Sequence, residues 1–141
     1  MTDGTFRRVL ITGSRNWQDW RVIWDALDAA YSSHPALTVV HGACPTGADR
    51  LAAEWYRQDG RRTARIEPHP AEWRRDGCFD KSAGFTRNAE MVSLGADLCL
   101  AFLMPCADKR CRRAQPHGSH GASHTADLAE KAGIETRRFT P

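Results

Sequence analysis

A chain of 141 residues has the length of one domain and can bury a core of its own. With 41% hydrophobic and 26% charged residues it has the composition of a globular protein, which excludes a disordered chain. The net charge of +3 permits a phosphate-bearing ligand but is weaker than that of a dedicated DNA-binding domain. The first residues lack a signal-peptide pattern, and no run reaches the ~20 apolar residues of a membrane span, so we expect a cytoplasmic protein without a membrane partner. Five cysteines, an odd number, favour thiols in a reducing compartment over a disulfide framework.

The predicted elements alternate between strands and helices along the whole chain. Short apolar, β-branched runs predict strands, and apolar residues three and four positions apart predict helices. In chain order these are a strand at 8–12, a helix at 20–31, a strand at 37–42, a helix from 48 that Gly60 stops, a weaker strand at 63–67, a helix at 86–94, a strand at 97–102, a helix from 123 or 124, and a strand at 134–139. The alternation predicts a single domain, 1–141, of the α/β class. Its fold is a Rossmann-like parallel sheet of about five strands, in the order 3-2-1-4-5, with helices on both faces.

Local signals mark several element ends. Asp19 is the predicted N-cap of the first helix, and Thr46 and Asp49 are spaced as a capping box for the second. Gly95 is the predicted residue that ends the third helix. Residues 68–84 contain prolines and glycines without periodicity, so they predict a long loop.

Small and polar residues collect in three loops that each follow a predicted strand and precede a helix. Glycines let backbone N–H groups approach a ligand, and a helix start favours an anion. Ligands of such sheets bind beyond the carboxyl ends of the strands, so the loops predict a cradle for a phosphorylated nucleotide or nucleotide-derived molecule. The alternative for any one loop is an ordinary turn, which also needs glycine. The predicted ligand-binding residues are Gly13, Ser14, Arg15, Gly42, Thr46, Gly47, Asp49, Asn88, Gly121, Ser123, His124 and Thr125.

Four blocks of the sequence resemble, in order, those of the SLOG superfamily, and most of all its small YspA-like (YpsA-related) branch of bacteria and their phages. They are Val9-Leu10-Ile11-Thr12-Gly13-Ser14-Arg15; Val40-His41-Gly42 with Gly47-Ala48-Asp49; Arg87-Asn88-Ala89-Glu90-Met91; and Gly121-Ala122-Ser123-His124-Thr125-Ala126-Asp127. The resemblance implies a Rossmannoid domain that binds nucleotides or their derivatives. It extends to the Lonely Guy phosphoribohydrolases, which cleave the N-glycosidic bond of nucleoside monophosphates, and to the DNA-processing protein A, which binds single-stranded DNA.

The resemblance to the phosphoribohydrolases also implies a catalytic pair. Their last block has the pattern Gly-Gly-x-Gly-Thr followed by acidic residues, and a separate helix supplies an arginine. Arg87 matches the arginine and Asp127 lies near the position of the glutamate, so this pair would cleave an N-glycosidic bond. Ala122 and His124 replace two glycines of the pattern, and these departures bear on hydrolysis more than on binding. The alternatives are a nucleotide sensor or sequestration module without activity, and a structural ion pair at the helix starts with Asp49 and Asp127 as caps.

Residues 104–121 lack periodicity and are rich in cysteine, arginine and histidine. A non-periodic connection of this length predicts a mobile lid over the ligand. Cys106, Cys111, His117 and His120 follow a C-x4-C-x5-H-x2-H spacing, a loose version of a zinc pattern, and Lys109, Arg110, Arg112 and Arg113 lie between them. We expect a lid without metal or cofactor, with zinc as the alternative. The basic run is typical of a solvated face, and single-stranded nucleic acid is the less favoured partner; the sequence leaves the oligomeric state open, a homo-oligomer included.

Overall fold

A computed structural model of the chain describes residues 7–58, 63–75, 78–79, 82–106, 111, 118 and 120–141. The described elements are β1 (Arg7–Gly13), α1 (Trp20–Ser33), β2 (Leu37–His41), α2 (Ala48–Arg57), β3 (Arg65–Pro68), β4 (Arg74–Arg75), β5 (Cys78–Phe79), α3 (Ala83–Ser93), β6 (Leu98–Phe102), α4 (His120–Lys131) and β7 (Glu135–Phe139). Within these residues no helix is both long and apolar enough to cross a membrane.

Five strands form one parallel sheet in the order β3-β2-β1-β6-β7, which confirms the predicted α/β class and strand order. The central strand β1 is buried on both sides. Val9 and Ile11 pack into a core with α1 and α2, whereas Leu10 packs with α3 and α4 on the other face. Successive side chains of a strand point to opposite faces, so the apolar run in β1 requires a helical layer on each side of the sheet.

The first helical layer consists of α1 and α2, which share one apolar core with the sheet. Asp19 is the N-cap of α1 and accepts a hydrogen bond from the Arg21 amide at 3.2 Å, as predicted. Trp55 of α2 is fully buried, and its indole N–H donates to Asp28 Oδ1 at 2.8 Å. Replacing a buried tryptophan by alanine costs about 3–5 kcal/mol, so this contact between α1 and α2 is a main anchor of the layer.

Three predicted elements differ from the structure. The predicted loop at 68–84 contains the antiparallel pair β4 and β5 and the first two residues of α3. Helix α3 begins at Ala83, three residues before its predicted start, and helix α4 begins at His120, three or four residues before its predicted start. In both cases a glycine lies in the first turn, and glycine weakens the propensity signal by which a helix start is predicted.

The two edge strands of the sheet are short and polar. β3 has four residues and ends in Pro68, whose nitrogen has no hydrogen to donate. On β7, the side chain of Arg137 pairs with Glu135 at 2.7 Å. The central strands β1, β2 and β6 are the buried part of the sheet, and their carboxyl ends lie next to one another at one edge.

Candidate functional site

A cavity of about 450 Å³ opens at the carboxyl edge of the central strands. This volume lies within the roughly 300–1,000 Å³ typical of small-molecule sites. Its walls come from the ends of β1 and β2, the first turns of α3 and α4, and the segments beside them. The lining residues are Ile11, Thr12, Gly13, Ser14, Arg15, Asn16, Gly42, Cys44, Asp49, Trp73, Gly84, Phe85, Arg87, Asn88, Met91, Pro105, Gly121 and Ala122.

The loop after β1 is fixed by Ser14. Its amide donates to the Phe102 carbonyl at 2.9 Å, and its hydroxyl oxygen accepts from the Met104 amide at 2.9 Å. Ser14 is also buried, so it joins the ends of β1 and β6 and shapes the cavity floor. Ser14, a predicted ligand-binding residue, also lines the cavity.

The loop after β2 packs directly on the loop after β1. Gly47 has φ +75°, and a Cβ at this residue would lie 2.3 Å from the Ser14 carbonyl oxygen. Only glycine fits this close approach and this conformation. The next amide, that of Ala48, donates to the same carbonyl at 3.3 Å, so the first turn of α2 is tied to protein.

The predicted capping box of α2 does not form. Gly47 is the N-cap residue and makes no side-chain cap, whereas Thr46 is exposed. Asp49 instead turns back into the loop, where its Oδ2 accepts from the Cys44 amide at 3.2 Å. The N-cap lies at Gly47, one residue after Thr46, because the chain turns into α2 at Gly47. This residue has a positive φ that favours glycine.

Asp49 is a carboxyl group held inside the protein. It is 8% exposed, and burial raises its pKa to about 6. The amides of Cys44 and Gly42 and the charges of Arg87 and Arg15 act in the opposite direction. A carboxyl group with a pKa near neutrality can take up or release a proton at physiological pH, which is the requirement for general acid or base chemistry.

Behind this loop, His41 is kept neutral. Burial first, and then the charges of His69 and Arg87, lower its pKa to about 4. Its Nδ1 accepts from the amide of Ala43, which has φ +57°. The neutral imidazole therefore acts as an internal acceptor that holds the backbone of the β2–α2 loop in shape.

Arg87, on α3, reaches across the cavity to the β2 side. Its Nη1 donates to the carbonyls of Gly42 and, at 3.3 Å, of His69, and its Nε donates to Asn88 Oδ1 at 2.8 Å. Burial lowers the pKa of the guanidinium and nearby Asp49 opposes that change, yet an arginine keeps its charge in proteins. Its Nη2 donates to none of the residues that the structure describes. This leaves a charged donor at the cavity wall.

Asn88 connects Arg87 with the start of α4. While its Oδ1 accepts from Arg87, its Nδ2 lies 3.5 Å from the Gly121 carbonyl. Gly121 and Ala122 line the cavity, so the first turn of α4 faces it. The first amides of a helix lack partners within the helix and carry a partial positive charge. The predicted contributions of Arg87, Asn88 and Gly121 thus come together in one wall.

Aromatic residues that sequence reasoning did not select complete the cavity. The Arg15 guanidinium lies 5.6 Å from the centroid of the Trp73 ring, and both residues are part of the lining. Phe85 is 47% exposed although it is large and apolar. Trp73 lies in the segment predicted as a loop and Phe85 in a turn predicted to precede α3, so neither belonged to a periodic pattern that would reveal its direction.

Six predicted site residues lie outside the cavity lining. Ser123 and Thr125 lie within α4, where Thr125 is fully buried and its hydroxyl donates to the Gly121 carbonyl. His124 packs edge-to-face on Phe85, with 4.8 Å between ring centroids. The six residues are Thr46, Gly47, Ser123, His124, Thr125 and Asp127.

Asp127 has surroundings different from those implied by the phosphoribohydrolase pattern. Its carboxylate pairs with Arg138 at 2.8 Å, and 62% of the side chain is exposed. Asp127 follows Ala122 by five residues, which corresponds to about 140° around a helix and about 7.5 Å along it. The structure therefore does not bring Asp127 together with Arg87, and Asp49 is the carboxyl group that shares the cavity with this arginine.

Metal-binding atoms come together at one place beside the cavity. Cys106, Cys111 and His120 each offer one ligand atom, and these atoms lie within 4.8 Å of one another. His117 and the basic residues 109, 110, 112 and 113 fall outside the described residues, and so does most of the predicted lid.

Sequence comparisons agree with the resemblance inferred from the motifs. The model of YAcAr, the YspA, cpYpsA-related SLOG family, matches residues 7–75. The Gene 61 protein of Mycobacterium phage D29 is 44% identical over 138 residues, which cover 94% of this chain and 96% of that protein. The C-terminal domain of a hydrogenase from Pyrococcus furiosus is similar in structure over 99% of this chain and 95% of that domain, with 9% identity and a TM-score of 0.44. By these sequence matches the chain belongs to the YspA, cpYpsA-related SLOG family.

Proposed function

We propose that the cavity binds a phosphorylated nucleotide or nucleotide-derived molecule. The observation that carries the proposal is the Arg87 guanidinium at the cavity wall, which is fixed by three hydrogen-bond acceptors and whose Nη2 has no acceptor within the part of the chain that the structure describes. Planar guanidinium groups bind phosphate oxygens strongly, and the fixed side chain loses little entropy when a ligand binds. Membership of the SLOG family is consistent with a nucleotide-related ligand.

The phosphate belongs at the start of α4 rather than at the start of α2. In α2, the Ala48 amide donates to Ser14, and the Cys44 amide before the helix donates to Asp49. The carboxylate therefore occupies the place that an anion would take in that loop. At α4, the turn of Gly121 and Ala122 faces the cavity, and the adjacent Arg87 adds a full positive charge.

The base belongs on the aromatic and apolar side of the cavity. Trp73 and Phe85 offer ring faces or edges, and Met91 and Ile11 add apolar surface below them. Stacking of a base on an aromatic side chain contributes about 1–3 kcal/mol and tolerates any base. A nucleoside monophosphate would thus place its charged end on Arg87 and its flat end on Trp73.

Thermal unfolding with a ligand panel tests this proposal. The panel contains the four ribonucleoside monophosphates, ribose 5-phosphate, the unphosphorylated nucleosides and a single-stranded oligonucleotide. A monophosphate at a hundred times its Kd should add about 2.7 kcal/mol, which is a rise in Tm of about 8 °C for a domain of this size. Arg87→Gln should abolish the rise, whereas Arg21→Gln, on the exposed face of α1, should keep it. Stabilisation by the oligonucleotide alone would contradict the proposal and favour nucleic acid as the partner. A panel in which no compound raises the Tm would also contradict the proposal.

A second candidate function is hydrolysis of the N-glycosidic bond of the bound nucleotide. The observation that favours it is Asp49, a buried carboxyl group with its pKa raised to about 6 in the same cavity as Arg87. In this role Asp49 activates a water molecule or stabilises the cationic sugar while Arg87 holds the phosphate. A protein that binds a monophosphate without releasing base would be a sensor or sequestration module.

A further inference from the structure

We infer that Cys106, Cys111 and His120 bind a zinc ion at the rim of the cavity. One ligand atom from each side chain lies within 4.8 Å of the other two, and all three residues are half-buried. The Sγ of Cys106 and the Nε2 of His120 are 3.4 Å apart. The inference rests on this cluster and is independent of the ligand proposed for the cavity.

The separation of Cys106 Sγ and His120 Nε2 agrees with that of two ligand atoms around a tetrahedral metal ion. With Zn–S bonds of about 2.3 Å and Zn–N bonds of about 2.0–2.1 Å, a sulfur and a nitrogen ligand lie about 3.6 Å apart. The observed separation of 3.4 Å between Sγ and Nε2 is only slightly shorter than this value. One ion can therefore contact Cys106 and His120 with only small side-chain rotations.

The chemistry of the donor set selects the metal. Two thiolates and one imidazole suit zinc, whereas calcium and magnesium prefer oxygen ligands. Three protein ligands leave the fourth position of a tetrahedral ion to a water molecule or to a donor from outside the cluster.

The backbone places two of the three ligands, Cys106 and His120, at the two ends of one connection, and Cys111 lies between them in the sequence. Pro105 and Gly118 form an antiparallel bridge, which closes the segment between β6 and α4 at its base. Cys106 follows the first of these residues, and His120 is the first residue of α4. An ion at this place joins the end of the β6 side to the start of α4.

The metal would also fix part of the cavity. Pro105, before Cys106, and Gly121, after His120, both line it. The start of α4 is the proposed phosphate position, so the zinc would hold that turn in place before a ligand arrives. The ion would join the two ends of the segment for which the sequence predicts a metal-free lid.

Metal content and cobalt spectroscopy test the inference on the full chain. Protein purified under reducing conditions from zinc-supplemented cells should contain about one zinc per chain by elemental analysis. After removal of the zinc, cobalt(II) should produce a thiolate-to-metal charge-transfer band together with the visible bands of a tetrahedral ion. A chelator should lower the Tm of the native protein, because a structural metal contributes to folding.

Variants separate the cluster from the other thiols. Cys106→Ser and His120→Ala should each lose the zinc, and chelator should then leave the Tm unchanged. Cys44→Ser removes a thiol outside the cluster and should retain full metal content. If the cluster variants fail to fold, the metal content and cobalt spectrum of the native protein decide. The inference would be overturned if the native protein contained well below one zinc per chain and showed no charge-transfer band when cobalt is added. Equal loss of metal in Cys44→Ser would overturn it as well.

Discussion

Arg87 and Asp49 both crowd the Cα of Gly42, where a Cβ would lie 2.6 Å from Arg87 Nη1 and 3.0 Å from Asp49 Oδ2. The cation and the carboxyl group come from different helices, α3 and α2, and they share the space that a side chain at Gly42 would fill. The cavity thus holds Arg87 and Asp49 close together because Gly42 has no side chain.

The first prediction concerns Gly42→Ala. The added methyl group should displace the Arg87 guanidinium, so the Tm rise caused by a nucleoside monophosphate should disappear. Stability itself should fall by about 1–3 kcal/mol, the usual cost of overpacking. Gly121→Ala is the matched control for stability alone, since a Cβ there meets no heavy atom within 4 Å but the residue lies at the proposed phosphate position. In the first turn of α4 that change should cost nothing or stabilise the protein by about 0.5–1 kcal/mol; equal losses of stability in both variants would show that Gly42 has no special role in packing.

The second prediction concerns the pH dependence of stability. Asp49 has a pKa of 3.8 when unfolded and about 6 when folded, so between these values the native state holds the extra proton. Stability from this group is complete below pH 3.8 and is lost as the pH rises through 6. The free energy of unfolding of Asp49→Asn relative to that of the native protein should therefore rise by about 2 kcal/mol between pH 4.5 and 7.5, as measured by urea unfolding.

The comparison with the variant is needed because another carboxylate acts in the opposite sense. The Arg8 guanidinium, hydrogen-bonded to Glu67, lowers the pKa of that carboxyl to about 2, and His69 adds to the effect. Glu67 thus stabilises the fold above its unfolded pKa, and this contribution is lost as the pH falls. Both proteins contain Glu67, so its effect cancels in the difference. A difference that is constant with pH would contradict the raised pKa of Asp49.

The third prediction separates the two aspartates in catalysis. If the protein releases free base from a nucleoside monophosphate, Asp49→Asn should lower the rate by about a hundredfold or more, as expected for loss of a general acid or base. Asp127→Asn should leave the rate unchanged, since Asp127 pairs with Arg138 at the surface. Chromatographic detection of the base gives both rates. The reverse result would show that Asp127 reaches the reacting bond.

The fourth prediction concerns recognition of the base. Trp73→Ala should weaken binding of a nucleoside monophosphate about tenfold and leave ribose 5-phosphate unaffected, because only the former has a ring to stack. Trp20→Ala is the control: Trp20 is 44% exposed on α1 and does not line the cavity. Calorimetric titration measures the affinities. An equal loss for both ligands would place Trp73 against the phosphate or sugar instead.

The fold was predictable from the sequence because its signals are local and repeated. Each apolar run forms a strand, and the strand order follows from the rules for parallel sheets. Helix starts were less predictable, since Gly84 and Gly121 weaken the helical signal in the first turns of α3 and α4.

The candidate site was predictable at the level of loops and less so at the level of side chains. Arg15, Arg87 and Asn88 line the cavity at the predicted places. The turn of Asp49 into its loop depends on the backbone conformation of Gly47, and the direction of Asp127 depends on where α4 begins. The spacing of residues along the chain does not reveal either of these side-chain directions.

The two outer strands of the sheet determine how copies of this chain can meet. An exposed strand with free backbone groups invites the strand of a neighbour, and charged side chains or proline at the edge oppose this. Pro68 ends the four-residue β3, and the Arg137–Glu135 pair lies on β7, so both borders of the sheet are unfavourable to continuation into a second molecule. Both described edge strands, β3 and β7, thus have features that oppose the addition of a strand from a second molecule.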